Sequence, residues 1–326
     1  MKGVRKYIIL LILGSAAFAA LFAFLGYRAF HASNEIATET VFLVQGGQGL
    51  IRTSRLLSEA GLILDKNIFK VGVMINGQER NLKAGEFLIP ANQSMTEIME
   101  ILVKGEVIQH SLTIVEGWTS YQIVEYLNAI ENLSDAIEAL PIEGSIMPES
   151  YHYTHNASRY DILMRMQQSQ LVLLDEIWKM RDPGLPIHSI EEAIILASII
   201  ERETGIAAER AHIAGVFINR LRRNIRLQSD ATIIYGIDRK GFLDRGLRRS
   251  ELADKDNPYN TYQKSGLPPS AIAHPGRASI EAVLHPMDTD DIYFVADGTG
   301  GHVFAETLAQ HERNVVQWRK IERSRK

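Results

Sequence analysis

Residues 189–205 read SIEEAIILASIIERETG, and this stretch predicts the helix around which the fold is organised. Ser189 followed three residues later by Glu192 has the spacing of a capping box, and Thr204-Gly205 is a stop signal. The positions between them are apolar on almost every side, which is typical of a helix buried within its domain. We therefore expect a buried central helix in a mixed α/β domain.

Glu201 interrupts the apolar stripe of this predicted helix, following Ile194 and Ala197 at helical steps. Burial and the negative end of the helix dipole both disfavour a carboxylate. We therefore expect a raised pKa for Glu201, as a general acid requires. A buried ion pair with Arg210 or Arg220 fits the same pattern, and the helix alone slightly favours this alternative.

Composition excludes several classes of function. The 326 residues allow about two ordinary domains. The absence of cysteine excludes thiol catalysis, disulfide scaffolds, iron–sulfur clusters and cysteine-containing zinc sites. With 35 basic and 39 acidic residues the net charge is −4, so no basic excess indicates a nucleic-acid partner.

The N-terminus carries the pattern of a membrane anchor. Residues 7–27 contain no charge, and a helix of about 21 residues matches the hydrocarbon layer of a bilayer. Three basic residues within residues 1–6 predict a cytoplasmic N-terminus, with the rest of the chain outside the cytoplasm. Residues 17–19 (AFA) resemble a signal-peptide cleavage site, but they lie inside the apolar run, which favours a retained anchor. The polar residues 28–40 are expected to form a linker.

A strand–turn–helix pattern then recurs along the chain. Three short aliphatic strands each end thirteen residues before a helical leucine, in the pairs Val44 and Leu57, Ile89 and Leu102, and Ile114 and Leu127. Two of the helices open with capping-box spacing, Ser94 with Glu97 and Thr119 with Gln122. Such units resemble small modules that bind glycan strands, although generic α+β packing explains the spacing equally well.

The segments after the central helix are a second helix, an apolar stretch and two rigid loops. Thr232–Tyr235 (TIIY) is expected to form a strand or a buried extended segment. The loops 257–262 (NPYNTY) and 265–276 (SGLPPSAIAHPG) are stiffened by proline and rich in polar side chains. They suit the wall of a saccharide cleft, although loops of this composition are often plain connectors. Residues 298–301 predict a hairpin turn.

Together these motifs resemble one family over most of the chain, from about residue 41 to residue 315. The segments LASIIERETG, VFINRLRRNIRLQSDATIIYG, NPYNTY, GLPPSAIAHPG and YFVADGTGGHVF, with TIVEGW and EGSIMPESY before them, resemble the endolytic murein transglycosylases, the MltG or YceG-like family. The resemblance implies an α+β fold with a single transmembrane helix. It also implies a LysM-like α+β subdomain at residues 41–108 and a mixed α/β catalytic domain at residues 109–326.

The family's activity is non-hydrolytic cleavage of the β-1,4 bond between N-acetylmuramic acid and N-acetylglucosamine inside a glycan strand. The muramyl C6 hydroxyl attacks C1 and leaves a 1,6-anhydro end, with the family's catalytic glutamate matching Glu201. The resemblance implies no cofactor, a position on the periplasmic side of the inner membrane, and release or termination of growing strands. The implied partners are peptidoglycan strands and peptidoglycan synthases.

Supporting roles follow from position in the matched motifs. We expect eight residues to bind substrate or to orient Glu201: Asn219, Arg220, Gln228, Asp230, Tyr235, Tyr259, Asn260 and Thr261. The chain departs from the family pattern at Ser229 and Ala231, where threonine and proline are usual, and at Met147. These departures bear on fine substrate preference.

The sequence is also compatible with two other functions. A glycan-binding scaffold without activity would need only the repeat units and a groove, and it would tolerate loss of Glu201. An ordinary hydrolase would need a second carboxylate, for which Asp230 and Glu203 are candidates. His152 and His155 lack an acidic neighbour in sequence and predict a structural pair, so we expect no metal site.

Overall fold

The apolar N-terminal run forms one helix, α1 (Lys2–His31), in a computed structural model that describes residues 2–34 and 38–324. Within those residues one helix, Val4–His31, is long and apolar enough to cross a membrane. The linker predicted at residues 28–40 is wrong at its start, because the helix continues to His31 and Phe30 is buried. Residues 35–37 of that predicted linker lie outside the described residues.

The chain divides into two compact units. Unit 1 contains the chain up to His110 together with His152–His155, and unit 2 contains Ser111–Tyr151 and the chain from Asn156 onward. The elements of unit 1 after α1 are β1 (Thr40–Val44), α2 (Leu50–Glu59), α3 (Lys66–Ile75), β2 (Gly85–Ile89) and α4 (Met95–Lys104).

In unit 1 the strands β1 and β2 pair antiparallel, with Thr40 opposite Ile89 and Val44 opposite Gly85. Side chains of period two on the strands and of helical period on α2, α3 and α4 point into one core. Its members include Phe42, Val44, Leu57, Phe69, Val73, Phe87, Ile89, Ile98 and Leu102. The capping box predicted at α4 is present, since Ser94 and Glu97 each accept a backbone N–H from the other.

Unit 2 is mainly helical. Its elements, together with the strands β3 and β5 at which the division falls, are β3 (His110–Thr113), α5 (Ser120–Ala129), β4 (Leu133–Ser134), β5 (Ser150–Tyr153), β6 (Ala157–Ser158), α6 (Arg159–Trp178), α7 (Ile190–Glu203), α8 (Arg210–Arg222), α9 (Asp230–Ile237), α10 (Arg249–Leu252), α11 (Arg277–Leu284), β7 (Tyr293–Ala296), β8 (His302–Ala305) and α12 (Leu308–Ser324). Among the described residues the strands form two-stranded sheets, with β3 beside β5, β4 parallel to β6, and β7 antiparallel to β8. The hairpin predicted at residues 298–301 is thus confirmed, and so is the capping box at α5.

The helix predicted from residues 189–205 is α7. The Ser189 hydroxyl accepts the N–H of Glu192, but the Glu192 carboxylate binds the N–H of His188, so only half of the predicted capping box forms. The consecutive residues 196–200 are buried and belong to the main core of unit 2, apart from Ser198. The Ser198 hydroxyl donates to the Ile195 carbonyl and accepts the N–H of Ile272. The buried hydroxyl therefore ties α7 to the proline-rich loop.

The segment Thr232–Tyr235 is helical, which corrects the prediction of a strand or a buried extended segment. It forms the middle of α9, with Thr232, Ile233 and Tyr235 buried. Its β-branched residues favour a strand by intrinsic propensity, but tertiary packing overrides a preference of less than about 1 kcal/mol per residue. The Thr232 hydroxyl also donates to the Ser229 carbonyl at 2.7 Å, which stabilises the first turn.

Candidate functional site

Glu201 lies in the last turn of α7, and its side chain is only 5% exposed. Its Oε1 accepts a hydrogen bond from Arg210 Nη2 at 3.2 Å, and its Oε2 accepts the backbone N–H of Gly276 at 2.9 Å. Of the two ion pairs that the sequence left open, the one with Arg210 is present. The carboxylate of Glu201 is therefore held by one guanidinium and one backbone amide.

A second carboxylate, Glu116, shares that guanidinium. Arg210 Nη2 lies 3.6 Å from Glu116 Oε2, and the Glu116 side chain is 44% exposed. Burial raises the pKa of Glu116, the negative charge of Glu201 raises it further, and Arg210 opposes both effects. The positive charge of Arg210 is thus shared by two carboxyl groups, and of the two Glu116 is the one exposed to solvent.

Two glycines allow the loops to approach this pair closely. A Cβ at Gly276 would overlap the carboxylate of Glu116, and Gly117 has a φ of 78°, a conformation that favours glycine. The Gly117 N–H donates to the His274 carbonyl at 2.9 Å. The segment TIVEGW therefore lies against the end of the proline-rich loop, and Glu116 within it is a candidate that our site prediction omitted.

Four of the predicted supporting residues bind backbone carbonyls or neighbouring side chains of their own unit. Asn219 Nδ2 donates to the Thr289 and Asp291 carbonyls, and Arg220 donates to those of Ile292 and Leu227. Asn260 is fully buried, and its Nδ2 donates to three carbonyls, those of Glu251, Leu252 and Asp254. The Thr261 hydroxyl accepts the N–H of Ser229 and pairs with the hydroxyl of Thr232. These contacts stiffen the backbone that carries the other predicted residues.

Two predicted residues are exposed. Gln228 has a φ of 52°, and its backbone N–H donates to the Thr261 carbonyl. Its side chain is exposed. Asp230 is exposed as well and accepts a hydrogen bond from the Tyr262 hydroxyl at 2.8 Å. Among the eight, these side chains are the ones accessible to an external ligand.

Glu203 occupies a different environment from Glu201. It lies two residues further along α7, about 200° around the helix. Its carboxylate accepts the hydroxyl of Ser229, one of the positions that depart from the family pattern. Burial, more than the charge of Asp230, raises the pKa of Glu203. Serine keeps the hydroxyl that threonine would supply, so the departure preserves this contact.

Tyr235 belongs to a buried polar cluster with Glu143. The Tyr235 hydroxyl donates to Glu143 Oε1 at 3.2 Å, and the Ser120 N–H donates to both carboxylate oxygens. Burial raises the pKa of Glu143 to about 7, although these hydrogen bonds oppose the shift. Tyr259 pairs instead with Ser270, at 2.8 Å between the hydroxyl oxygens.

His274 completes this buried cluster. Its Nδ1 accepts the N–H of Ile146 at 3.1 Å, so its Nε2 carries the hydrogen and donates to the Ser120 hydroxyl at 2.9 Å. Full burial lowers the pKa of His274 to about 3, which keeps the ring neutral. Nε2 also lies 3.5 Å from Glu143. Neither Glu143 nor His274 was predicted, although Glu143 lies in the quoted motif EGSIMPESY.

The raised pKa of Glu143 predicts a pH dependence of stability. The contribution of Glu143 to the free energy of unfolding is fully present below about pH 4.5 and is lost as pH rises through about 7. The contribution of His274 has the opposite dependence: it is present above about pH 6.5 and is lost as pH falls through about 3. The glutamine of Glu143→Gln cannot ionise. Between about pH 5 and pH 8 we therefore expect the free energy of unfolding of this variant to rise by about 2–3 kcal/mol relative to that of the wild type. Urea unfolding of the full chain in detergent, followed by tryptophan fluorescence, measures the difference. The exposed substitution Glu131→Gln is the control, and parallel curves for wild type and Glu143→Gln would contradict the expectation.

Among residues 2–34 and 38–324, no group of three or more histidine, cysteine, aspartate or glutamate residues is arranged to hold a metal ion. His155 has no acidic neighbour in the local sequence, but the fold brings Glu86 to it, with 3.4 Å between His155 Nδ1 and Glu86 Oε1. His110 contacts the same carboxylate.

Comparison with known proteins gives consistent matches. The model of the YceG-like family matches residues 42–317. The chain is 35% identical over 175 residues to a protein named endolytic murein transglycosylase from Bacillus subtilis (strain 168), which covers 53% of the chain and 47% of that relative. It is 27% identical over 320 residues to a protein of the same name from Streptococcus pneumoniae (strain R6), covering 83% of the chain and 57% of that relative.

The chain spans about half the length of these curated relatives. Among solved structures, the fold is similar to that of a yceG-like protein from Listeria monocytogenes, with a TM-score of 0.53 and 26% sequence identity. That similarity covers 85% of this chain and 98% of the Listeria chain.

Proposed function

Since the chain belongs to the YceG-like family, we propose that it is an endolytic murein transglycosylase in which Glu201 is the sole general acid and base. The observation that carries the proposal is the position of Glu201, whose carboxylate meets Arg210 and the Gly276 amide beside the partly exposed Glu116. The names of the curated relatives support the same activity.

The proposed reaction is cleavage of the β-1,4 bond between N-acetylmuramic acid and N-acetylglucosamine within a strand. Glu201 first protonates the leaving glycosidic oxygen and then takes the proton from the muramyl C6 hydroxyl as that oxygen attacks C1. Because the nucleophile belongs to the substrate, its effective molarity is high and no second carboxylate is needed as nucleophile or water-activating base. The product carries a 1,6-anhydro end.

The shared guanidinium places a second titratable group, Glu116, beside the proposed acid. Arg210 carries one positive charge between two carboxyl groups, and the pKa of Glu116 is raised by burial and, to a lesser extent, by repulsion from Glu201. A proton on Glu116 would leave Arg210 paired with Glu201 alone.

A hydrolase is the competing activity, and the geometry of the second carboxylate bears on it. Glu203 is hydrogen-bonded to Ser229, and Asp230 to Tyr262, and neither of these carboxylates suggested by sequence contacts Arg210, the ion-pair partner of Glu201. Glu116 is the carboxylate that shares Arg210. If the enzyme activated water, Glu116 would be the candidate base.

The remaining parts of the proposal concern organisation and location. The order β1–α2–α3–β2, with the strands antiparallel, supports a LysM-like subdomain at residues 41–108, followed by a catalytic domain at residues 109–326. The apolar helix α1 and its basic N-terminal flank support an anchor in the inner membrane, with the C-terminal part on the periplasmic side. There the enzyme would release or terminate nascent strands, with peptidoglycan synthases as partners.

Product analysis separates the possible functions. The full chain in detergent is incubated with uncrosslinked glycan strands, and the products are weighed by mass spectrometry. Full length is required because Phe30 is part of the core of unit 1. We expect internal cleavage with anhydro ends, each lighter by one water than a reducing end. Reducing ends would indicate a hydrolase, and intact strands a scaffold without activity.

A further inference from the structure

The end of helix α1 packs against the other elements of unit 1. Phe30, one residue before the helix ends, is 4% exposed, and its ring lies 6.4 Å from that of Phe69 between centroids. The ring occupies the space that a Cβ of Gly72 on α3 would need. Glycine at this position therefore allows the end of α1 to pack directly on α3.

Hydrogen bonds fix the same joint. The Thr96 hydroxyl, in the first turn of α4, donates to the Phe30 carbonyl at 3.1 Å. Just beyond the helix the Asn34 N–H donates to the Gln93 carbonyl, and the Asn34 side chain donates to the Gly61 carbonyl. Unit 1 consequently has a set orientation with respect to the axis of α1.

The outer face of α3 beside this joint is apolar and exposed. At about 100° per residue, Ile75 lies about 60° and Val71 about 100° around the helix from Gly72, on the side away from the core residue Val73. Met74 extends the arc by about a further 60°. Ile75 is 80% exposed, and about half of the surface of Val71 and of Met74 is exposed. The apolar face of α3 thus begins at its contact with α1.

Polar side chains border and interrupt this apolar face. Lys70 lies about 40° beyond Met74, and the exposed Asn67 falls between Val71 and Met74, one turn nearer the start of the helix. An apolar arc with a lysine at its edge suits a helix that lies in a membrane interface, with apolar side chains among the acyl chains and the amine among the headgroups.

We propose that the apolar face of α3, formed by Val71, Met74 and Ile75, is seated in the surface of the bilayer that α1 crosses. The lipid surface is the occupant because the face is continuous with the helix proposed as the anchor. The proposal rests on that anchor and adds to it a second, fixed contact. Unit 1 then lies on the membrane surface in a fixed orientation and is not tethered to it through a flexible linker.

Fluorescence quenching from within the bilayer tests this contact. Since the chain has no cysteine, Ile75→Cys offers a single attachment site for a fluorophore. The full chain is reconstituted in vesicles of phosphatidylethanolamine and phosphatidylglycerol that contain a lipid with a nitroxide on its acyl chain. The matched control is Ile51→Cys, 77% exposed on α2 beside the cationic side chains of Arg52, Arg55 and Lys66. A label within the anchor, at Phe18→Cys, reports insertion.

We expect the labels at positions 18 and 75 to lose most of their emission and the label at position 51 to retain it. Quenching at position 18 without excess quenching at position 75 over position 51 would overturn the proposal and leave the anchor intact. Absence of quenching at position 18 would overturn the anchor and this contact with it. Strand cleavage assayed on the same vesicles separates both outcomes from failure of the proposed activity.

Discussion

Glu201→Gln is expected to abolish strand cleavage, lowering the rate by at least about 10²–10⁴-fold, the range typical of a positioned acid or base. The amide cannot supply a proton to the glycosidic oxygen, and it cannot accept one from the C6 hydroxyl. It has the size of the carboxyl group, and its carbonyl oxygen can still accept the Gly276 N–H that Glu201 binds at 2.9 Å. We therefore expect the variant to fold and to bind strands.

The measurement is the rate of appearance of anhydro ends from uncrosslinked strands, with strand binding measured on the same preparation. Glu191→Gln is the matched control, because Glu191 lies exposed in the first turn of the same helix. Retained binding with lost cleavage would assign a chemical role to Glu201. A Gln variant that cleaves at the wild-type rate would remove Glu201 from the mechanism, and Glu116 would be the next carboxyl group to substitute.

Arg159→Ala is expected to destabilise unit 2 by at least about 3 kcal/mol, since buried polar groups left without partners cost about 1–3 kcal/mol each. Arg159 is 7% exposed and begins α6. Its guanidinium donates to five backbone carbonyls, those of Leu127, Asn128, Ile130, Leu133 and Asp135. Two of these carbonyls, those of Leu127 and Asn128, lie in the last turn of α5, where carbonyls lack the regular helical partner, although that of Leu127 also accepts the Ile130 N–H.

Thermal and urea unfolding of the full chain measure this effect. The control is Arg226→Ala, since Arg226 is exposed and donates to one carbonyl, that of Tyr262. We expect the control to change stability by less than about 0.5 kcal/mol, as surface substitutions usually do. Equal stabilities for the two variants would mean that water replaces the guanidinium at all five carbonyls.

Features that depend on local sequence were predictable. The capping boxes at Ser94 and Thr119 and the end of α7 at Thr204 need only residues within one or two turns, and all are present. The same local reasoning failed at Thr232–Tyr235, because strand propensity is weak and the Ser229–Thr261 contacts that start α9 join residues 32 positions apart. Phe30 was misjudged for the same reason, since its partner Gly72 is distant in sequence.

The site was less accessible to sequence than the helices were. Motif position selected Asn219, Arg220 and Asn260, but it could not distinguish a side chain that supports a loop from one that meets a ligand. Their donors bind backbone carbonyls, which is a property of tertiary structure. Glu116 and Glu143 were quoted within motifs and left unassigned, because their partners Arg210 and Tyr235 follow more than 90 residues later.

The contacts of His274 and Gly276 also set an order of events during synthesis. His274, the partner of Ser120 and Ile146, is synthesised 154 and 128 residues after them. Gly276, whose N–H binds Glu201, follows Glu201 by 75 residues. A chain made from its N-terminus can assemble the βααβ part of unit 1 while these groups still lack partners, because domains fold as units during translation. We therefore expect a nascent chain that stops before residue 276 to have a folded N-terminal unit and an incomplete carboxylate site, and to become competent for the proposed reaction only late in synthesis.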